Sequence, residues 1–117
     1  MTETGKYDLE ERTFVFARNV ALYCKSLPNG ISNIEYSRQV IRSSGSTGAN
    51  YIEANESLSR KDFAMRLKIS RKEAKESVYW LRLLVDTNAD SFKEAGLGLI
   101  RESIELKKIF SSIISKL

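Results

Sequence analysis

The sequence predicts an all-α protein, an antiparallel up-down-up-down four-helix bundle, on three observations. Helix breakers are scarce: six Gly and one Pro make seven of 117 residues, about 6% where an average chain carries roughly 12%. Apolar residues recur at intervals of three and four along most of the chain. Four stretches also open on a Ser or Asp answered three residues later by Glu or Asp, the pattern of a capping box. A sandwich or barrel would need many more turns.

The first stretch opens at Asp8-Leu-Glu-Glu11, with Asp8 as N-cap, and carries Leu9, Phe16, Val20, Tyr23 and Leu27 on one face. Leu27-Pro28-Asn29-Gly30 stops it. Ser32-Asn-Ile-Glu35 opens the second, which extends to about Glu56. Ser59-Arg-Lys-Asp62 opens the third, running through Trp80 to about Asp86. Ser91-Phe-Lys-Glu94 opens the fourth, with Leu99, Leu106, Phe110, Ile113 and Leu117 along it. The short joins make consecutive helices antiparallel neighbours. Trp80, Leu81 and Leu84 are expected in the core with Phe63 and Phe110.

Helix two departs from this regularity. Seven small residues, Ser43-Ser-Gly-Ser-Thr-Gly-Ala49, run through its middle, although each internal Gly costs about 1 kcal/mol relative to Ala. Ile41, Gly45, Gly48 and Ile52 share a face and are candidates for close helix packing or an oligomer interface. A turn dividing the helix is the alternative. Asn50 and Glu53, one turn apart, are candidate buried polar residues, at least one of them facing helix three and paired with Lys72, Glu73, Glu76 or Tyr79.

The composition narrows function. With 42% hydrophobic residues and a net charge of +4, the chain is not expected to be disordered, and residues 1–117 fit one domain with its own core. No apolar run approaches the roughly 18 residues of a membrane span, and Met1-Thr-Glu-Thr-Gly-Lys6 lacks an apolar h-region. A cytoplasmic protein without a membrane partner is therefore expected. There is no His, which removes the commonest general base and metal ligand. Cys24 has neither an imidazole to activate it nor a second Cys to pair with. No Ser-x-x-Lys dyad, P-loop or Gly-x-Gly-x-x-Gly occurs. Glu53/Glu56, Glu73/Glu76 and Glu102/Glu105 are spaced as carboxylates on helices, but the His residues of a di-iron bundle are missing. No catalytic residue, metal site or cofactor is expected.

Charge is concentrated instead. Arg60–Lys75 holds seven basic and two acidic residues, a net +5 that leaves −1 for the rest of the chain. Arg60, Lys61, Lys68, Arg71, Lys72 and Lys75 can share an outward side of helix three, a face suited to a phosphate backbone. No aromatic residue interleaves the basic residues on that face to stack bases, so recognition of RNA or DNA is expected to follow shape and charge.

Arg42-Ser-Ser-Gly-Ser-Thr-Gly-Ala-Asn-Tyr-Ile-Glu-Ala54, Ser59-Arg-Lys-Asp-Phe63 and Lys72-Glu-Ala-Lys-Glu-Ser-Val-Tyr-Trp-Leu81 together resemble the bacterial four-helix-bundle family whose founding members are encoded in intervening sequences of large-subunit ribosomal RNA genes, often filed as ribosomal proteins. The resemblance spans essentially the whole chain and is densest over residues 38–84. It departs at Thr47 and Ile52, where a larger apolar residue and an Arg are expected, so a contact made by that Arg would be missing. The resemblance implies a ring-like homopentamer and no established catalytic function. It also extends to the accessory protein of diversity-generating retroelements, a basic pentameric bundle that binds nucleic acid and a reverse transcriptase. Two readings follow: a non-enzymatic oligomer binding RNA or DNA through helix three, or an adaptor binding a protein partner through its oligomer surface.

Overall fold

Four helices and one short turn make up most of the described residues in the computed structural model, which describes the backbone of residues 4–117 and side chains from Leu9 onward. They are α1 (Thr4–Ser26), α2 (Ile31–Asn55), α3 (Arg60–Thr87) and α4 (Lys93–Ser115), with a 3₁₀ turn at Asp90–Phe92 before α4.

Of the four expected helix starts, the one at Ser59 forms as a cap: its side chain accepts a 3.0 Å hydrogen bond from the Asp62 amide. α1 begins upstream of Asp8, whose side chain lies outside the described residues. α2 starts at Ile31 behind Gly30 with no side-chain cap. Its first turn is tied by Asn33 rather than Ser32: the Asn33 amide donates to the Pro28 carbonyl at 2.8 Å and to Asn88 Oδ1 at 2.9 Å. Ser91 is absorbed into the 3₁₀ turn, and α4 starts behind Phe92 without a side-chain cap.

Side-chain pairings fix the register. Ser43 meets Ser77, Ser70 donates to the Thr47 carbonyl, and Arg66 donates to Asn50, so α2 and α3 run antiparallel. Ser103 on α4 donates to the Ala74 carbonyl on α3 and Arg71 to Ser111. Asn55 on α2 donates to Glu10 on α1, and Arg12 on α1 pairs with Glu102 on α4. Each helix thus lies beside its chain neighbour, and the contact between α1 and α4 is the thinnest of the four.

The core is built from Phe16 and Val20 of α1, Val40 and Tyr51 of α2, Leu67, Leu81 and Leu84 of α3, and Leu106 and Phe110 of α4. Phe63 and Trp80, expected to be largely buried here, are only partly buried at its edge. The small-residue run does not break α2, which is one continuous helix. Ser43, Ser44, Thr47 and Gly48 are buried, and the hydroxyls of Ser43 and Ser77 share a 2.7 Å hydrogen bond where α2 meets α3. Short side chains let these two helices approach closely, and each buried hydroxyl has a partner.

Candidate functional site

α3 divides sharply between its two sides. Leu67, Ser70, Glu73, Ala74, Ser77, Leu81 and Leu84 are buried. Lys61, Lys68, Lys72 and Lys75 are exposed on the other side. Ion pairs among the described residues engage Arg12, Arg42, Arg101 and Lys108, and none of these four lysines. Steps of three and four residues continue the row beyond Lys75 to Tyr79 and Arg82, both exposed. At 1.5 Å per residue, Lys68 to Arg82 covers about 21 Å of helix.

The other two members of the expected basic face are turned elsewhere. Arg71 is half-buried and its guanidinium donates to Ser111 Oγ on α4 at 3.4 Å. Arg60 is exposed but donates to the Leu117 carbonyl at 3.4 Å, at the end of the bundle. Lys68, Lys72 and Lys75 are therefore the centre of the free row. Tyr79 corrects the expectation of a face without aromatics: it is 56% exposed and stands one turn beyond Lys75. Its ring meets Trp80 edge-on, with centroids 5.0 Å apart.

Beside this row, α2 and α3 are clamped by an ion cluster. Arg42 donates to Glu76 Oε2 at 2.8 Å and to Glu73 Oε1 at 3.2 Å. The Trp80 indole N–H donates to the same Glu76 oxygen at 3.0 Å. The Trp80 hydrogen bond, reinforced by Arg42, holds the Glu76 carboxyl below its ordinary range, and the two carboxylates push the Arg42 guanidinium up. Glu73 is the buried carboxylate of the motif region; Glu53 is exposed and Asn50 half-buried. Asn50 does face α3, but it accepts from Arg66 at 3.0 Å, outside the expected set of partners. The sequence signal for the cluster is the spacing of Glu73 and Glu76, three apart and placed to receive a single guanidinium.

The α2 stripe separates in the same way. Gly48 is buried against Thr13 of α1, whereas Ile41 and Ile52 are exposed and a Cβ on Gly45 would meet nothing within 4 Å. Only Gly48 of the four serves packing within the protomer. Phe14 and Ile34 add to the apolar side chains left exposed on α1 and α2. Where α1 and α4 part, a groove of about 700 Å³ opens over Phe16, Leu22, Tyr23 and Leu99, with Arg12 and Glu102 paired at its edge.

Among the described residues, carboxylates of both regions are already engaged. Glu73 and Glu76 are occupied by Arg42 and Glu102 by Arg12. Among the described residues, no three His, Cys, Asp or Glu side chains gather to hold a metal. Cys24 is half-buried, and burial pushes its thiol up, away from the reactive thiolate. No helix among the described residues is long and apolar enough to cross a membrane.

The model of the 23S rRNA-intervening sequence protein family matches residues 6–112. The chain belongs to that family. A solved structure from Bacteroides thetaiotaomicron, described as a protein with unknown function from the S23 ribosomal protein family, is similar at 35% identity, with a TM-score of 0.76 over 91% of this chain and 97% of that one. Among curated proteins no match is found. This chain and the Bacteroides thetaiotaomicron protein therefore share their fold.

Proposed function

We propose that this chain is a non-enzymatic, cytoplasmic nucleic-acid-binding module that engages RNA or DNA through the outward row of α3 and does so as a homo-oligomer, a pentamer by family resemblance. The observation that carries the reading is the row itself. Lys61, Lys68, Lys72 and Lys75 are exposed and form no ion pair within 4 Å among the described residues, while Arg42 pairs with both carboxylates of the neighbouring cluster. A row rich in cations attracts a polyanion, which releases condensed counterions on binding. Copies of the row around an oligomer would multiply contacts that are individually weak.

A second reading has its own support. The apolar side chains exposed on α1 and α2, together with the groove between α1 and α4, suit contacts with other protein chains, either copies of this one or an adaptor's partner. Native mass spectrometry of protein purified without nuclease separates the two readings. Co-purifying nucleic acid, and binding that weakens steeply with salt, supports the first. An assembly free of nucleic acid that does not retain oligonucleotides at low salt supports the second.

A further inference from the structure

We infer that the row on α3 is a single-strand site, with Tyr79 as a stacking platform for an unpaired nucleobase. This rests on the proposed nucleic-acid reading and adds the state of the strand. A duplex keeps its bases stacked inside and offers α3 only phosphates, for which lysines suffice. An exposed aromatic ring in line with the lysines is a different kind of contact, because it recognises the face of a base.

Three features place that base at Tyr79. The ring is 56% exposed, yet it is anchored rather than loose, since it lies edge-on against Trp80 at 5.0 Å. Trp80 is itself held, its N–H on Glu76 at 3.0 Å and its ring 6.0 Å from that of Tyr36. A shallow recess of about 190 Å³ adjoins Tyr79, lined also by Arg82, Leu83 and Asp86. That space is below the roughly 300–1,000 Å³ of a small-molecule pocket, so the occupant inferred here is no larger than a single base.

The charges along the row agree. Lys68, Lys72 and Lys75 track phosphates on one side of Tyr79, and Arg82 supplies a cation that can also stack on a base. Asp86 ends the row. It repels phosphate but accepts hydrogen bonds from base N–H groups, the N3–H of thymine or uracil included, so a base fits this end better than the backbone does. Neither stacking nor phosphate contact requires a 2′-hydroxyl, so RNA and DNA strands share the required chemistry.

Fluorescence polarisation with dT12, rU12, a 12-base-pair duplex and an abasic 12-mer tests this on the full chain. The wild type, Tyr79→Ala, Tyr79→Phe and the double variant Lys68→Glu/Lys75→Glu are compared, with circular dichroism to confirm folding. Tyr79→Ala is expected to weaken dT12 and rU12 by about fivefold or more, with duplex and abasic strands nearly unchanged. Tyr79→Phe, which keeps the ring, should bind like the wild type. The single Trp gives an independent readout: dT12 should alter Trp80 emission and the abasic strand should not. The stronger of the dT12 and rU12 responses identifies the source of the strand. If Tyr79→Ala binds both strands like the wild type while the lysine variant loses all probes, the stacking site falls and the basic face stands. Equal losses on duplex and single strands overturn the single-strand assignment. If no probe binds the wild type, the nucleic-acid reading falls with it.

Discussion

Gly48 of α2 lies so close to Thr13 of α1 that a methyl group on it would stand 2.8 Å from the Thr13 hydroxyl oxygen and 3.0 Å from its Cβ. Three residues earlier, Gly45 faces open space. The same residue type in the same helix therefore answers two different demands.

Gly48→Ala is expected to destabilise, because forcing a methyl into a filled contact costs about 1–3 kcal/mol, only partly offset by the roughly 1 kcal/mol gained in helix propensity. Gly45→Ala meets no such contact and should stabilise by about 0.5–1 kcal/mol. Urea unfolding of both variants checks this. The reverse order of stabilities would mean that α1 and α2 are farther apart in solution.

Trp80 and Phe110 provide a second contrast. Phe110 is wholly buried and touches Tyr51 at 6.0 Å between centroids; Phe110→Ala should cost about 3–5 kcal/mol. Trp80 keeps part of its surface in water, so Trp80→Ala should cost less than Phe110→Ala. Thermal melts of the pair decide it, and an equal or larger loss for Trp80 would return it to the core.

These two comparisons mark what periodicity can and cannot deliver. Four helices, their order and most of the core follow from apolar spacing, since burial needs one continuous face. Caps are less legible, because Ser32 and Ser91 have the right spacing but lose to tertiary contacts made by Asn33 and by the turn at Phe92. Tyr23 donates to the Phe92 carbonyl at 3.1 Å, which helps hold that turn. The row on α3 was visible as charge; which cations stay free was not. Arg71 is one residue from Lys72, and that single helical step turns it toward Ser111. Tyr79 lies just beyond the charged window, where charge alone gives it no weight.

Glu76 sets an acid-side dependence. Its carboxyl is lowered from an ordinary value of 4.5, first by the Trp80 hydrogen bond and then by Arg42. A lowered carboxyl stabilises the fold above that value, and the contribution fades as pH falls through the folded-state pKa. Glu76→Gln should therefore be less stable than the wild type at pH 7. The gap should narrow below about pH 4.5. Urea midpoints measured from pH 7 down to pH 3 test the sign; a gap that widens in acid would contradict it.

The free row on α3 yields the sharpest functional contrast. Lys68 and Lys75 are exposed and unpaired among the described residues, whereas Arg71 between them is half-buried and bound to Ser111. If phosphates lie along the row, each lysine contact releases counterions and steepens the salt dependence. Lys68→Glu/Lys75→Glu should then weaken binding of unrelated sequences by similar factors, because phosphate contacts carry no sequence information. The plot of log affinity against log salt should flatten by about 1.4 on single strands, about 0.7 for each lost contact. Arg71→Ala should leave the slope nearly unchanged, since its guanidinium is turned from the row, and Lys75→Ala should lower it by about 0.7. Titrations across a salt series measure all three variants. A larger slope change for Arg71→Ala than for Lys75→Ala would move the phosphate path off this row and toward the seam between α3 and α4.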